Sequence, residues 1–363
     1  MNCAHFAWPE NTEAFRQFFQ LAETARVPLS GTLELTRRCN LRCVHCYLSP
    51  RERRGYGDRH EMSTAQVLNV IDQLVSAGCL SLVLTGGDPL MRLDFAKIYR
   101  HSKLAGLDVA LFTNGTLLSD ELVDLFRDLP PRVVEISIYG STTSAHEQVT
   151  GVPGSWAAAL AGARKLCEAG VRLCLKTMLM RVNQHELEGM EALAQDLGAK
   201  FRFDPVINAR LDGGREPLAF RLDPSVAVQL EFARPWLRQG WADLHAQYPV
   251  VPQSDLLFQC GAGQTAFHVD AFGNLQPCLM VPWISHSPID VPFAEAWAQV
   301  GVVLDTRARA DRPCFTCQLR PYCAYCPGFL ALENGDPQTP SSYLCALGTE
   351  RLKAIRLLSK EDV

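Results

Sequence analysis

"TRRCNLRCVHCYLS", residues 36–49, places Cys39, Cys43 and Cys46 within eight residues. Three sulfurs are one short of the four protein ligands that usually close a structural zinc site. Disulfide bonding suits small secreted domains, which this 363-residue chain does not resemble. What three thiolates hold here has to be decided by the rest of the chain.

The bulk composition sets the frame. At 47% hydrophobic and 20% charged residues the chain has the content of a soluble globular protein, long enough for two domains or three. A net charge of −4 gives no electrostatic reason to expect nucleic acid. No apolar run approaches the ~20 residues needed to span a bilayer. The opening "MNCAHFAWPENTEAFR" lacks the basic region and apolar run of a secretory signal, so a cytoplasmic location is expected. Of fourteen cysteines, seven lie between 260 and 345: Cys260, Cys278, Cys314, Cys317, Cys323, Cys326 and Cys345. In a reducing cytosol such clusters read as metal ligands. Cys79, Cys167 and Cys174, each isolated, read as small core residues.

From residue 31 to about 206, short β-rich runs alternate with helical ones. Strands are expected at 31–36, 80–85, 108–113, 132–138, 171–179 and 200–206, with helices such as 63–78 and 155–170 between them. Alternation of this kind implies parallel βαβ units, and six repeats suggest an open partial (β/α)6 barrel. The expected organisation is an N-terminal segment (1–30), the barrel (31–207), a helical bridging region (208–254), a small cysteine-rich domain fixed by metal (255–350) and a C-terminal tail (351–363). The bridging helix over 226–247 should be interrupted near Pro235.

On a barrel reading, the informative residues fall just past strand C-termini, the face where such folds assemble active sites. The three cysteines follow the first strand, Gly86, Gly87 and Asp88 the second, and Asn114 the third; Ser137 ends the fourth, and Lys176, with Asn183 beyond it, ends the fifth. Each alone is an ordinary turn or rim residue. Their arrival in series on one face points to a site.

Together these features resemble the radical S-adenosylmethionine (SAM) superfamily, in which His45 takes the aromatic position before the last cysteine. The resemblance implies a [4Fe–4S] cluster on Cys39, Cys43 and Cys46 whose fourth iron chelates SAM. It further implies reductive cleavage of SAM to a 5′-deoxyadenosyl radical that abstracts hydrogen from substrate. By the same resemblance Gly86 and Gly87 let backbone approach the SAM amino group, with Asp88 standing where the family usually has Glu. Ser137 takes the ribose position, Lys176 pairs with the SAM carboxylate, and Tyr47 touches adenine through its backbone. Asn114 and Asn183 join the cofactor-binding set.

The later cysteines are similar to the SPASM extension of some radical SAM enzymes. Cys260, then Gly273 and Cys278, match its first half, and Cys314-x2-Cys317-x5-Cys323 continues it to Cys345. Only two residues separate Cys323 from Cys326, where the family usually has three. By resemblance Cys314, Cys317, Cys323 and Cys345 hold one auxiliary four-iron cluster, and Cys260, Cys278 and Cys326 another. Taken alone these pairs fit zinc equally well, since ligand spacing does not separate the two.

Relatives with this extension mostly modify peptides, so the expected function is a peptide maturase that installs a crosslink or other modification on a ribosomally made peptide. The alternatives are a small-molecule substrate or a protein-residue oxidase of the sulfatase-maturase type. Leu279 after Cys278, where that type has aspartate, argues against the last. A reductant such as ferredoxin or flavodoxin and a separate leader-binding protein are the implied partners. Tyr139 and Asp204 are positional candidates for catalysis, and the basic run 51–61 reads as a solvated loop or a peptide or SAM contact. A non-catalytic electron carrier and a zinc-stabilised binding module are the competing classes.

Overall fold

A computed structural model describes residues 13–55, 60–248 and 254–361. Cys3, with the rest of residues 1–12, and residues 56–59 of the basic run lie outside the described residues.

The order begins α1 (Glu13–Thr24), β1 (Ser30–Thr36), α2 (Pro50–Arg53), α3 (Thr64–Ser76), β2 (Ser81–Gly86), α4 (Phe95–Leu104), β3 (Asp108–Thr113), α5 (Asp120–Asp128) and β4 (Val133–Ser137). It continues α6 (Thr143–Thr150), α7 (Ser155–Glu168), β5 (Leu173–Met178), α8 (Leu187–Asp196), β6 (Lys200–Asp204), α9 (Pro224–Phe232) and α10 (Pro235–Gln247). Then follow β7 (Ala266–Val269), β8 (Leu275–Gln276), α11 (Phe293–Val300), α12 (Pro327–Asn334) and α13 (Ser342–Glu361). Strands β1 to β6 pair in chain order, all parallel, as the open barrel reading requires.

Register sorts the strand residues onto two faces. Leu33, Leu84, Leu111, Val134, Ile136 and Leu175 share one face and are almost fully buried. Helices present Val67, Val70, Ile71 and Leu74 of α3 and Phe95, Ile98 and Tyr99 of α4 as the complementary apolar surface. Tyr99 meets Phe126 edge-on at 4.9 Å and donates its hydroxyl to the Leu129 carbonyl at 2.6 Å. The opposite face carries Thr32, Glu34, Thr85, Glu135, Ser137, Lys176, Arg202 and Asp204 beside Val83, Ala110 and Phe112, so the charged residues of these strands gather on the face away from those leucines.

The described residues divide into two compact units, and the division differs from the expected domains. Among the described residues, one unit spans 13–220 together with 261–304; the other spans 221–260 and 305–361. Residues 261–304, expected in the cysteine-rich domain, join the barrel because β7 adds to the edge of β1 in parallel. Gly31 makes this possible: a Cβ there would lie 2.3 Å from the Phe267 ring, which covers β1 at that point. Phe267 in turn meets Trp297 of α11, whose indole N–H donates to the Arg26 carbonyl at 2.7 Å. In the second unit the expected bridging helix is two helices, since Pro235, without an N–H, sits in the first turn of α10. The expected tail belongs to α13, which runs unbroken from Ser342 to Glu361. Among the described residues no helix is long and apolar enough to cross a membrane.

Candidate active site

The loop after β1 brings Cys39, Cys43 and Cys46 together at the carboxyl end of the parallel sheet. Cys46 lies close enough to help raise the pKa of both Cys39 and Cys43, although burial is the larger cause, pushing Cys39 up to about 12 and Cys43 and Cys46 upward as well. Cys43 packs against an apolar cluster of Tyr139, Val149, Met180 and Ile207. Hydrogen bonds converge on the sulfurs: the Leu41 amide donates to Cys39 Sγ at 3.4 Å, Asn114 Nδ2 lies 3.8 Å from the same atom, and Tyr139 bonds Cys43. No group of three or more His, Cys, Asp or Glu among the described residues is placed as the ligands of one ion. Neighbouring half-buried thiols aided by N–H donors suit a larger, electron-rich group; a cube shares its charge among several sulfurs and accepts such donors.

The turn after β2 lies against the exit of β1. Gly87 N donates to the Thr36 carbonyl at 2.8 Å and Asp88 N to that of Arg38 at 2.9 Å. A Cβ on Gly86, whose φ is +140°, would lie 2.1 Å from the Thr36 oxygen; one on Gly87 would lie 2.4 Å from those of Arg37 and Arg38. Glycine is therefore needed for backbone to meet backbone. The Asp88 carboxylate is fully buried, accepting from Leu90 N, Thr113 Oγ1 and Asn114 N at 2.8–2.9 Å. Burial nonetheless pushes its pKa up to about 6. It clamps the second strand's turn to the third's, and both its oxygens are engaged.

Other expected cofactor residues are also engaged within the protein. Asn114 reaches Asn40 Oδ1 at 2.8 Å, and its own oxygen accepts from Thr116 N and Oγ1. Asn183, wholly buried, donates to the Tyr139 and Met178 carbonyls and accepts from Met180 N, which pins the loop after β5 to that after β4. The Tyr47 carbonyl accepts from Leu211 N at 2.9 Å, while its hydroxyl donates to Glu34 Oε1 at 3.2 Å and lies 3.5 Å from the Gly86 carbonyl. Lys176 Nζ sits 3.6 Å from Glu135 Oε2 and 3.3 Å from the Phe112 ring centroid; burial draws its pKa down to about 8, against the pull of Glu135. Ser137 is half-buried beside Tyr139. Of the two catalytic candidates, Tyr139 is 7% exposed and faces the cysteines and His45, and Asp204 accepts from the Val206 amide at 2.8 Å.

Sequence reasoning missed a buried polar network beneath this loop. Arg37 pairs with Glu34 at 3.3 Å, with Glu52, and with Asp270 at 3.8 Å, and stacks on Phe272. Burial raises Glu34 to about 7. His268 on β7 meets Thr32 Oγ1 through Nδ1 at 2.6 Å, while its buried Nε2 has no partner among the described residues. The available signal was the charged residue inside each apolar run, as in "TLELT" and "VVEIS".

In the second unit Cys314, Cys317 and Cys345 lie near enough to Cys323 to help raise its pKa, although burial is the larger cause and takes it up to about 12. Gly348, one turn beyond Cys345 on α13, leaves the space that Cys323 fills; a Cβ there would lie 2.8 Å from that of Cys323. Between Cys323 and Cys326, Ala324 takes a left-handed φ of +56°, the local answer to the short spacing. Cys326 caps α12 in the same unit, which also holds the exposed Cys260; Cys278 belongs to the barrel unit.

Comparison with known proteins agrees with this geometry. The family model described as "Radical SAM superfamily" matches residues 33–194. An AdoMet-dependent heme synthase of Methanosarcina barkeri is 28% identical over 324 residues, covering 84% of this chain and 92% of its own. The PqqA peptide cyclase of Rhodopseudomonas palustris is 29% identical over 318 residues, covering 84% and 81%. Among solved structures, Streptococcus suis SuiB bound to its precursor peptide SuiA superposes with a TM-score of 0.67 at 15% identity, over 93% of this chain and 82% of that one.

Proposed function

This chain belongs to the radical SAM superfamily through residues 33–194, and we infer from its site that it is a peptide maturase acting by hydrogen abstraction. The carrying observation is three neighbouring, half-buried thiols on the loop after β1, beside the charged residues of the sheet's inner face. Cys39, Cys43 and Cys46 fit a [4Fe–4S] cluster, because they are neighbours on one loop and N–H donors wait at the Cys39 sulfur. When bound, cluster and SAM together supply a strongly hydrogen-abstracting radical.

The chain's own residues bind, orient and exclude water. Gly86 and Gly87 bring the second turn's backbone against the cysteine loop, Asp88 and Asn183 hold neighbouring loops in place, and Tyr47 ties the loop to Glu34. Lys176 and Arg202 offer positive charge beside Glu135 on the inner face, with Lys176 suited to the SAM carboxylate and Ser137 to its ribose. Tyr139 and His45 cover the sulfurs and keep water from them. In the second unit Cys314, Cys317, Cys323 and Cys345 would hold an auxiliary cluster. Cys260, Cys278 and Cys326 are assigned to another, for three in all.

The substrate assignment rests on the peptide-modifying names among the relatives. The relative named heme synthase favours a second reading, a small-molecule substrate. Incubating the reconstituted enzyme with SAM, reductant and a short peptide encoded beside its gene decides between them. Loss of hydrogen pairs from the peptide, located by tandem mass spectrometry, is expected; an unchanged peptide with a modified tetrapyrrole would favour the second reading.

A further inference from the structure

The segment that carries the three cysteines, residues 37–54, holds six arginines against one carboxylate, Glu52, in a chain of net charge −4. Three of the six are absorbed locally. Arg37 is buried with Glu34 and Glu52, Arg38 lies 3.3 Å from Glu61, and Arg53 donates to the Cys43 carbonyl at 3.2 Å. Arg42, Arg51 and Arg54 are exposed, and among the described residues their side chains form no ion pair.

These three charges sit on the cysteine loop itself. Arg42 adjoins Cys43 in the chain, and the Cys39 amide donates to the Arg53 carbonyl at 3.0 Å, between Arg51 and Arg54. A cleft adjoins Arg54, because a Cβ on neighbouring Gly55 would lie 3.3 Å from Arg38, which lines it; its two carboxylates, Glu61 and Asp94, are paired with Arg38 and Arg92, and Leu93 on its wall is wholly exposed. Exposed cations around an apolar anchor make a surface suited to an acidic protein.

We propose that Arg42, Arg51 and Arg54, with Leu93 at their edge, dock a small acidic one-electron carrier, an iron–sulfur or flavin protein. The proposal rests on the radical SAM reading, which requires one electron from outside for each SAM cleaved. In the docking step the carrier would be oxidised by one electron and the cluster that Cys39, Cys43 and Cys46 would hold would be reduced by one. No bond or proton moves in that step. An electron crosses packed protein, so its donor need only reach the surface beside the cysteines. A peptide substrate, by contrast, has to enter the polar face that carries Glu135 and Lys176, which is why the patch is assigned to the carrier.

The test uses the holoenzyme, its Arg42→Glu/Arg51→Glu/Arg54→Glu variant and flavodoxin as the probe. Three quantities are measured: the affinity for oxidised flavodoxin, the rate at which enzyme and SAM reoxidise flavodoxin hydroquinone, and dithionite-driven 5′-deoxyadenosine formation. Charge reversal is expected to lower the first two by about 10- to 1,000-fold at low salt and to flatten their ionic-strength dependence, leaving the third unchanged. Leu93→Ala should weaken flavodoxin binding while its salt dependence persists. Unchanged flavodoxin affinity with normal dithionite activity would overturn the proposal and leave the radical SAM reading standing. Loss of precursor-peptide affinity in place of flavodoxin affinity would overturn it in favour of a substrate surface. A wild-type enzyme that cleaves no SAM even with dithionite would overturn both.

Discussion

Replacing Arg351 by methionine should unfasten the second unit. Arg351 Nε and Nη2 donate to the two Glu231 oxygens at 2.8 and 2.6 Å, and Nη1 donates to the Tyr322 carbonyl at 2.9 Å. The guanidinium also lies 4.6 Å from the Trp241 ring centroid. Both partners of the pair are buried, at 3% and 5% exposure, so water cannot take over the lost bonds. Methionine keeps the stem and leaves the Glu231 charge unpaired, a cost of about 3–5 kcal/mol. Adding Glu231→Leu removes that charge and leaves only the Tyr322 carbonyl unsatisfied, about 1–3 kcal/mol. Urea unfolding followed by tryptophan emission, to which Trp241 contributes, measures both. Because Tyr322 precedes Cys323, the single variant should also retain less iron at the auxiliary site. A single variant within ~1 kcal/mol of wild type, or a double variant worse than the single, would refute the reasoning.

Three further outcomes are expected. Gly87→Ala drives a Cβ into the Arg37 and Arg38 carbonyls and should weaken SAM binding roughly tenfold or more, about 1.4 kcal/mol, by equilibrium dialysis; unchanged affinity would contradict the close-approach argument. Burial and Arg37 hold His268 down to about 3 from its ordinary 6.5. The stability this gives is complete above pH 6.5 and is lost as pH falls toward 3, at up to ~1.4 kcal/mol per unit, so acid unfolding of His268→Gln should be less steep. Ala324→Gly relieves a left-handed alanine worth ~1–2 kcal/mol and gives back ~0.4–1 kcal/mol through the unfolded chain; the melting temperature should hold or rise, and a fall would contradict the reading of strain.

The six parallel strands were legible because each is a short apolar run ended by glycine or a turn, and the observed ends lie within about two residues of expectation. The membership of residues 261–304 was not. β7 is four residues long and pairs with a strand more than 230 residues earlier, and the match shows in the fit of Phe267 over Gly31 and the His268–Thr32 hydrogen bond, neither of them a local pattern. Local pattern carries no information about such partners. The same limit governed the site. The cysteine spacing is local and could be read directly. The Glu34–Arg37–Asp270 network is assembled by sheet order and could not. Asp88 and Asn183 were noticed for their positions, but sequence could not tell that their side chains are engaged by neighbouring loops.

The most direct test is 5′-deoxyadenosine formation from SAM and dithionite by anaerobically reconstituted protein, with iron measured on the same sample. The account predicts about twelve irons per chain, four for each of three cubes, and SAM cleavage abolished by Cys39→Ala, Cys43→Ala and Cys46→Ala together. Iron near zero with stoichiometric zinc, or a fully iron-loaded enzyme that leaves SAM intact, would contradict it.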